Sequence, residues 1–412
     1  MKFLNFGSCN LDYAYSMHHI VTPGETQSSD NLAIFPGGKG LNQSISLARA
    51  GVKVYHAGCI GTDGDLLLET LLQDGVDVSC IRRVNEKNGH AIIQVTHQGE
   101  NASFVYAGSN AMITHDHVDE VLEHFGADDV LVLQNEINAL DYIVRRAHEK
   151  GMFIALTPSP IRPDIFELDW SMLSCMILNE VEMRSISGCA DMEEGLSVMK
   201  QKYPALHLML TLGQNGCIYQ HGDTRLYHPI FETTVVDTTG AGDTFTGYFL
   251  AGLMGGKAIK DVLAMASCAS AIAVSRAGAS PAIPYRGEVV TALRSMKRCP
   301  SATHATKRQR ERIEAYIEEH IADATLGELS ELLGYSTVYT GTLVRRLCGV
   351  TFGELLHRHR LTMAAELLKN DELSVSTIIR RVGYENEQYF RDMFKKCYGV
   401  RPLEYRNQHK KQ

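Results

Sequence analysis

The sequence predicts an α/β domain built on a mainly parallel sheet, followed by an all-α C-terminal domain with two helix-turn-helix units. Three observations support this prediction. Short apolar runs alternate with helical patterns up to about residue 295, the composition changes over residues 295–310, and the pattern beyond residue 310 is purely helical. The length of 412 residues agrees with two or three domains, and an apolar content of 44% is enough for a sizeable core.

The α/β pattern begins with the strand "MKFLNFG" and the helix "GLNQSISLARAG", and continues with the strand "KVYHAGCIG" and the helix "DLLLETLLQDG". Four more apolar strands end in polar or glycine-containing turns: "DDVLVLQNE", "MFIALTPSP", "CMILNEVE" and "LHLMLTLGQNG". Buried strands that alternate with helices are typical of a parallel sheet covered on both faces. The segment "HAIIQVTHQGENASFVYAG" differs, because two extended runs flank "HQGEN". This is a hairpin signal, and we expect an appendage to the main sheet.

The stretch "SMKRCPSATHATKRQR" combines proline, small polar residues and a cationic cluster. We therefore expect the α/β domain over 1–295, a linker over 296–306 and the all-α domain over 307–412. In the last of these, "TLGELSELLG" with "STVYTGTLVRRLCG", and "SVSTIIRRVG" with "NEQYFRDMFKKCYG", each predict a helix-turn-helix unit. The long helix "FGELLHRHRLTMAAELLKN" joins them. The two similar units form a weak internal repeat within the domain.

Charge is distributed unevenly along the chain. Residues 301–412 carry 18 Lys/Arg against 15 Asp/Glu, a balance of +3, and residues 1–300 carry 22 against 33, a balance of −11. A basic C-terminal part on an acidic body indicates a tail that meets a polyanion. Ordinary charge scatter is the alternative interpretation.

The cysteines and the apolar runs indicate a cytoplasmic protein without a membrane partner. The ten cysteines have no Cys-x-x-Cys spacing and form no zinc-like Cys/His cluster, which suggests a reducing compartment. The N-terminus lacks the long apolar core of a signal peptide. No run approaches the ~18 apolar residues of a membrane span.

Two aspartates, Asp237 and Asp243, flank a glycine-containing turn in "DTTGAGDTFTG", and a helical pattern follows. A turn without large side chains lets backbone N–H groups point at one spot, and the N-terminus of the next helix adds a partial positive charge. A carboxylate in that turn can accept the proton of a nucleophilic hydroxyl. Phosphoryl transfer needs these elements: positioning, charge stabilisation and a base. The alternative is that Asp243 is an N-cap in a merely tight turn.

Four other segments lie where strands end or helices begin: "GSCNLD", "PGGKGLNQSISLARAG", "LNEVE" and "TLGQNG". An α/β sheet builds its binding crevice at the carboxyl ends of its strands. Together with "DTTGAGD", and in consistent order over residues 1 to about 295, these segments resemble the ribokinase-like (PfkB) family of sugar kinases.

This resemblance implies a ribokinase-like sandwich with a mainly parallel sheet and a small β lid. The hairpin at 90–106 would be that lid, and in the family it often pairs subunits into homodimers. The implied reaction is ATP-dependent phosphorylation of a small-molecule sugar, here ribose or a related furanose, at its primary hydroxyl. The implied cofactors are ATP, Mg²⁺ and K⁺.

The resemblance also implies roles for single residues. Asp243 would be the catalytic base. The anion hole would consist of the backbone amides of Gly240, Ala241 and Gly242. The sugar ligands would be Asn10, Asp12, Gly38, Lys39, Asn42 and Glu136, together with Asp243. The nucleotide-binding residues would be Asn179, Thr211, Gly213, Gly216, Gly242 and Ser267.

Two metal sites are implied in the same way. Asn179 and Glu182 match the family's Asn-x-x-Glu element, which organises Mg²⁺ through water; hard Mg²⁺ prefers oxygen ligands. Asp237 matches the aspartate that ligates K⁺. Backbone oxygens would complete the K⁺ site, those of Thr239, Ala273, Arg276 and Gly278. Ala282 departs from the family, which tends to have serine there. Each residue also has a structural alternative, such as Glu182 as a solvated helix charge.

The C-terminal domain resembles the AraC-type DNA-binding domain, with "SVSTIIRRVGYENEQYFRDMFKKCYGVRPLEYR" as its better-matching unit. The resemblance implies double-stranded promoter DNA as partner. The expected DNA-binding residues are Glu387, Gln388, Arg391 and Lys395 in the second unit, and Val338 and Thr342 in the first. Glutamine suits adenine, and arginine suits guanine or a phosphate. A small helical dimerisation domain is the alternative.

The whole chain is therefore interpreted as a sugar kinase fused to a transcription regulator of sugar metabolism. One hypothesis is that lid closure alters the dimer geometry and so the spacing of the two DNA-binding tails. Two alternatives stay open: a catalytically silent kinase fold that only senses the sugar, and a kinase whose tail is an assembly module. The intact Asp243 and its glycines argue against the first.

Overall fold

The structure is a computed structural model that describes residues 1–96, 101–298, 302–333, 337–369, 373–384 and 386–409, without the side chains of 101, 302–309, 338, 339, 342 and 346. The chain divides into two compact units, Met1–Cys299 and Pro300–Gln412. The helix Ala302–Glu319 begins inside the predicted linker over 296–306, so the second half of that segment is already helical.

The strands of the described residues are β1 (Phe3–Phe6), β2 (Asn10–Met17), β3 (Asn31–Gly37), β4 (Val54–Ile60), β5 (Asp77–Arg83), β6 (Gly89–Thr96), β7 (Asn101–Tyr106), β8 (Val130–Gln134), β9 (Phe153–Thr157), β10 (Cys175–Asn179), β11 (His207–Thr211), β12 (Cys217–His221) and β13 (Thr224–His228).

The helices of the described residues are α1 (Lys39–Arg49), α2 (Asp65–Gln73), α3 (His115–Leu122), α4 (Leu140–Glu149), α5 (Glu180–Ser187), α6 (Met192–Lys202), α7 (Ala241–Met254), α8 (Ile259–Val274), α9 (Arg286–Ala292), α10 (Ala302–Glu319), α11 (Leu326–Leu333), α12 (Thr337–Cys348), α13 (Phe352–Leu368), α14 (Val375–Arg381), α15 (Glu387–Tyr398) and α16 (Pro402–His409). None of these helices is long and apolar enough to cross a membrane.

Nine strands form the main sheet of the first unit, in the order β13-β12-β11-β10-β9-β8-β1-β4-β5. All neighbours from β11 to β5 are parallel, and β12 and β13 add an antiparallel edge. All five residues of β8, "VLVLQ", are buried, because helices cover both faces of a parallel sheet. The predicted mainly parallel sheet is confirmed.

Two apolar cores lie on the two faces of this sheet. One contains Ile45 of α1 and Phe249 of α7, and the other contains Val144 of α4 and Met183 of α5. This double cover leaves the ends of the strands as the place where polar side chains can meet. The carboxyl ends of the parallel strands therefore form the crevice in which a binding site is expected.

A second sheet has the order β3-β2-β6-β7. Strands β6 and β7 are antiparallel and form the predicted hairpin, whose turn at 97–100 lies outside the described residues. β2 and β3, which were not predicted as strands, also belong to this second sheet. β2 starts at Asn10, just after β1 ends, and pairs in parallel with β6. The lid is therefore four-stranded and leaves the main sheet at the carboxyl end of β1.

The second unit contains two small apolar cores. One is built around Ile317 and Leu329, and the other around Ile378 and Phe390. Met363 of α13 packs against both cores. The pairs α11–α12 and α14–α15 are thus the two predicted helix-turn-helix units, and α13 is the long helix that joins them.

Candidate active site

Asp243 lies in the first turn of α7 and is 8% exposed. The helix starts after Gly240, whose φ of 71° favours glycine and where an added Cβ would lie only 3.1 Å from Ala279 Cα. The two carboxylate oxygens accept hydrogen bonds from α1: Oδ2 from Asn42 Nδ2 at 3.1 Å, and Oδ1 from Gln43 Nε2 at 3.0 Å. No side chain caps α7, so the interpretation of Asp243 as a mere N-cap is wrong.

Four of the residues predicted as sugar ligands, Asn10, Gly38, Lys39 and Glu136, lie around the start of α1. Oε2 of Glu136 accepts hydrogen bonds from the backbone N–H of Lys39 at 2.9 Å and from Ser8 Oγ at 2.5 Å. Gly38 precedes Lys39 as the N-cap of α1. Oδ1 of the buried Asn10 accepts a hydrogen bond from Asn110 Nδ2 at 2.7 Å. The start of α1, the end of β8 and the start of the lid are thereby tied together.

Asn42 offers an unused acceptor in this crevice. Its Nδ2 donates to Asp243, whereas its Oδ1 is buried and accepts no hydrogen bond from the described residues. A buried polar atom without a partner costs roughly 1–3 kcal/mol, so such an atom indicates a ligand that donates to it. A sugar hydroxyl has the required O–H.

The charged groups of the crevice shift one another's proton affinities. Burial, and then the carboxylate of Glu136, raise the pKa of Asp12 to about 7. The negative charge of Asp243 raises the pKa of the Lys39 ammonium, and burial opposes this rise. Glu136 and Glu182 add smaller effects in the same direction. Lys39 therefore stays charged among three carboxylates.

A cavity of about 470 Å³ lies next to the N-terminal turn of α7. It has the size of a small-molecule site. Five predicted nucleotide residues line it, together with Ala241 of the predicted anion hole: Thr211, Gly213, Gly216, Gly242 and Ser267. Phe231, Val235 and Phe245 give it an apolar wall. The turn Ala241–Gly242 thus faces the cavity, while Asp243 faces the polar crevice.

Asn179, the sixth predicted nucleotide residue, does not line the cavity. It caps α5 in a reciprocal arrangement with Glu182, in which Asn179 Oδ1 accepts from Glu182 N at 2.9 Å. Both carboxylate oxygens of Glu182 accept from Asn179, at 2.9 and 2.8 Å. Glu182 is only 6% exposed, so its interpretation as a solvated helix charge is wrong. Its carboxylate retains further lone pairs for a water on a divalent cation.

The predicted K⁺ ligands lie in the loop before α7, at the end of α8 and in the loop that follows α8. Asp237 accepts hydrogen bonds from Thr239 N at 2.9 Å and Thr239 Oγ1 at 2.7 Å, and from Gly278 N at 2.9 Å. Partial burial raises the pKa of Asp237, but these hydrogen bonds outweigh it and lower the pKa below its usual value. Ala273 O accepts from Arg276 N at 3.0 Å at the end of α8. One carboxylate and several carbonyls are a hard oxygen set that suits K⁺.

Within the described residues, no group of three or more His, Cys, Asp or Glu side chains is arranged to hold a metal ion. The predicted Mg²⁺ and K⁺ sites are of another kind, because each has one protein carboxylate together with amide oxygens, backbone oxygens or water.

The predicted DNA-binding residues of the second helix-turn-helix unit share α15. Arg391 pairs with Glu387 at 2.9 Å, and Gln388 Nε2 donates to Asp392 at 3.1 and 3.2 Å. Lys395 follows one turn later. Phe390 and Phe394 bury the other side of this helix. Val338 and Thr342 lie on α12, and their side chains are outside the described residues.

Sequence reasoning missed two buried amides behind Asp243. Gln43 is adjacent to Asn42 in "GGKGLNQ", and Gln134 ends the strand "VLVLQ". Both are fully buried, and Gln134 Nε2 donates to Gln43 Oε1 at 2.7 Å. A glutamine at the end of an apolar strand was the available signal.

The parallel sheet, the lid at the carboxyl end of β1 and a buried carboxylate beside a cavity of this size together define a small-molecule kinase. The chain belongs to the pfkB family of carbohydrate kinases, whose model matches residues 2–286. A helix-turn-helix domain model matches residues 329–408. A sugar-kinase domain and the helix-turn-helix domain of a transcription regulator therefore occur in one chain, as the sequence analysis predicted.

Curated relatives and solved structures agree with this assignment. The chain is 31% identical to ribokinase of Haemophilus influenzae over 296 residues, which are 69% of this chain and 95% of that protein. It is also 31% identical to ribokinase of Bacillus subtilis, covering 69% of this chain and 96% of that protein. The structure of ribokinase from Cryptococcus neoformans in complex with ADP matches with a TM-score of 0.62 at 32% identity, covering 70% of this chain and 98% of that chain. Ribokinase of Arabidopsis thaliana, complexed with ribose and ATP, matches with a TM-score of 0.63 at 26% identity, covering 71% of this chain and 98% of that chain.

Proposed function

We propose that the first unit transfers the γ-phosphoryl group of ATP to the primary hydroxyl of ribose or a related furanose. The observation that carries this proposal is the position of Asp243, between the polar crevice and the turn that faces the cavity. The Asp243 carboxylate takes the proton of the sugar hydroxyl as that oxygen attacks phosphorus. The amides of Gly240, Ala241 and Gly242 at the N-terminus of α7 stabilise the charge on the moving group.

The sugar occupies the crevice formed by α1, β2 and the end of β8. Asn42 Oδ1 accepts a hydrogen bond from one hydroxyl, which satisfies its buried oxygen. Asn10, Asp12 and Glu136 supply further acceptors, because short amides and carboxylates can bridge neighbouring hydroxyls. Gly38 and Lys39 bring the start of α1 against the sugar. The similarity to ribokinases supports ribose as the substrate.

The nucleotide occupies the cavity next to α7, with its apolar part against Phe231 and Phe245. The likeness to ribokinase structures with ADP or ATP supports this assignment. Glu182, with Asn179, would hold Mg²⁺ through water. Bound Mg²⁺ supplies positive charge to the phosphates. Asp237 and the carbonyls near it would hold K⁺ and keep the loop before α7 in place.

The second unit binds double-stranded promoter DNA in this proposal, with α15 in the major groove. Glu387, Gln388, Arg391 and Lys395 line its outer side, and the first helix-turn-helix unit contributes Val338 and Thr342. Domain boundaries at 1–295 and 307–412 are part of the same proposal. A salt-dependent gel shift on the promoter tests it, because phosphate contacts make affinity fall steeply with salt.

A homodimer formed through the lid completes the proposal. One face of the four-stranded lid carries the row Ile34, Tyr13, Ile92 and Phe104, which the strand register aligns. Ile34 is 48% exposed and Phe104 62% exposed. An exposed apolar row on a sheet supports burial against a second copy. Closure of the lid over the sugar would then change the affinity for DNA. By reciprocity, bound DNA would change the affinity for the sugar by the same factor.

The test is ATP turnover by the full chain with Mg²⁺ and K⁺ across a panel of furanoses, other sugars and nucleosides. We expect turnover with ribose or a close relative and strong discrimination against the rest of the panel. If no compound is turned over but a sugar still raises the melting temperature, the kinase proposal is wrong and the catalytically silent sensor is favoured.

Replacing Gly242 by alanine tests whether this glycine serves the anion hole or only the local structure. An added Cβ would contact no atom within 4 Å, so stability should stay equal or rise by roughly 0.5–1 kcal/mol. The methyl group would stand where the phosphoryl group has to pass, and we expect kcat to fall by at least about tenfold. Gly287→Ala in α9 is the matched control, since its added Cβ is equally free of contacts. Equal kcat in both variants would contradict the assignment.

Sugar binding should depend on pH through Asp12. Its pKa is raised to about 7, so about half of the sites hold a proton at neutral pH. The ionised carboxylate accepts stronger hydrogen bonds from hydroxyls, so sugar displaces that proton and affinity rises as the pH increases through 7. Calorimetry without ATP, from pH 6 to 8 and in two buffers, should show proton release near pH 7. Asp12→Asn should abolish it, and an affinity independent of pH in the wild type would contradict the prediction.

A further inference from the structure

A chain of buried side-chain amides runs behind Asp243. Asn5 Nδ2 donates to Gly40 O at 2.6 Å, Gln134 Nε2 donates to Asn5 Oδ1 at 2.9 Å and to Gln43 Oε1 at 2.7 Å. Gln43 Nε2 then donates to Asp243 Oδ1 at 3.0 Å. Asn5, Gln43 and Gln134 are all fully buried. These contacts join a backbone carbonyl of α1 to the carboxylate in α7.

The direction of each hydrogen bond in this chain is determined from both ends. A backbone carbonyl can only accept, so Asn5 must turn its NH₂ group to Gly40 and its oxygen to Gln134. An ionised carboxylate can also only accept, so Gln43 must turn its NH₂ group to Asp243 and its oxygen to Gln134. Gln134 therefore faces two acceptors and has to donate to both.

One orphaned atom agrees with this assignment. Both hydrogens of the Gln134 NH₂ group are used, whereas its Oε1 is buried and accepts no hydrogen bond from the described residues. Gly7 lies against that oxygen, and an added Cβ there would overlap it. Gln134 thus donates twice while its own buried oxygen has no partner in the described part of the chain. Such an unsatisfied polar atom destabilises the fold, and exceptions of this kind are typical of functional sites.

We infer that Gln134 is a positioning residue for phosphoryl transfer, and that it selects which oxygen of Asp243 acts as the base. By holding Gln43 in one orientation, it keeps Oδ1 bonded to the buried amide chain. Oδ2, which accepts from Asn42 Nδ2 on the side of the polar crevice, is then the oxygen that takes the proton. The sugar O–H bond breaks and an Asp243 Oδ2–H bond forms. The sugar oxygen bonds to phosphorus as the bond from phosphorus to ADP breaks. This inference rests on the proposed kinase function.

The test compares Gln134→Met, which removes both donors at similar side-chain length, with Gln220→Met. Gln220 is also a buried glutamine of the first unit, and its Nε2 donates one hydrogen bond to Leu196 O at 3.0 Å. Without Gln134, Gln43 is free to turn its oxygen toward Asp243. We expect kcat to fall roughly 10- to 100-fold, as for a lost hydrogen bond to a charged group. The sugar KM should stay within about twofold, since ground-state contacts are unchanged. The acid limb of the kcat–pH profile should move to higher pH.

Gln220→Met should change neither kcat nor the profile. Kinetics of Gln134→Met that match those of Gln220→Met, in a protein that melts cooperatively, would overturn the inference. Should Gln134→Met not fold, Gln43→Met decides in the same way, because it removes the last donor of the chain.

A readout independent of turnover separates this inference from the kinase proposal. Nuclear magnetic resonance of the ¹⁵N-glutamine-labelled full chain should show slow side-chain amide exchange for Gln43 and Gln134, and fast exchange for Gln43 in Gln134→Met. Slow exchange in a wild type without turnover would contradict the kinase function and leave the amide chain standing. Fast exchange of both amides in the wild type would overturn the inference whatever the turnover.

Discussion

Replacing Asp243 by asparagine should lower kcat by roughly 10²- to 10⁴-fold, the usual contribution of a positioned base. The carboxylate is 8% exposed and held by two amide donors of α1, so we expect no other group to take over the role of the base. Phosphoryl transfer by positioning alone should remain and set the residual rate. Turnover of ATP with the best sugar of the panel measures the effect.

The substitution also changes the hydrogen-bond balance of the site. Asn42 and Gln43 both donate to residue 243, and an asparagine can accept on only one of its two side-chain atoms. One donor would then face another donor, which should destabilise the fold by roughly 1–3 kcal/mol. A thermal melt therefore has to accompany the kinetics. Activity is compared at a temperature where both proteins are folded.

Asp237→Asn is the matched control, because it changes the other aspartate of the same turn in the same way. Asp237 accepts its hydrogen bonds from Thr239 and Gly278, outside the polar crevice, so its loss should alter the dependence on K⁺ more than the maximal rate. Retention of more than about a tenth of kcat in Asp243→Asn would argue against a base. Sugar-dependent melting shifts that persist without any turnover in the wild type would favour the sensor.

The parallel sheet was predictable because its evidence is local. The strands "VLVLQ" and "HLMLT" each contain an unbroken apolar run, as strands covered on both faces do, and each strand is five residues long. Because such strands end at one edge, the polar residues that follow them were expected near one another. The approach of Glu136 to the N–H of Lys39 fulfils that expectation.

The lid and the amide chain depend on contacts that are distant in sequence. β2 pairs with β6, about eighty residues away, and its half-exposed pattern carries no strong strand signal. Gln134 contacts Asn5 and Gln43, which are 129 and 91 residues away. A glutamine has the same appearance in a sequence whether it is solvated or donates twice in a core. The unpaired Oε1 becomes visible only once the chain is folded.

The helix-turn-helix domain allows a second large effect to be predicted. Gly383 ends α14 with φ +85°, and an added Cβ would overlap the carbonyl oxygen of Ala322 and lie 2.7 Å from Arg360 Nη2. Arg360 of α13 donates to Ile321 O and Ala322 O, both at 2.8 Å. The turn between α14 and α15 is thus packed directly on the turn between α10 and α11, just before the first helix-turn-helix unit. Gly383→Ala should therefore disturb both this turn and the packing between the two helix-turn-helix units.

We expect Gly383→Ala to destabilise the domain by roughly 3–5 kcal/mol, combining a left-handed alanine with a clash against backbone. Gly399→Ala is the matched control. Its φ is +77° and its added Cβ would meet no atom within 4 Å, so only about 1–2 kcal/mol of backbone strain should appear. Hydrogen exchange of α14 and α15 peptides in the full chain measures both changes.

Promoter binding provides the second readout of this pair of variants. A protein that reads DNA with two units needs a defined distance between them, so Gly383→Ala should weaken the gel shift far more than Gly399→Ala. ATP turnover should be the same in both variants and in the wild type, because the substitutions lie in the other compact unit. Equal exchange and equal promoter affinity in the two variants would show that the packing of Gly383 on Ala322 contributes nothing to either the stability or the function of the domain.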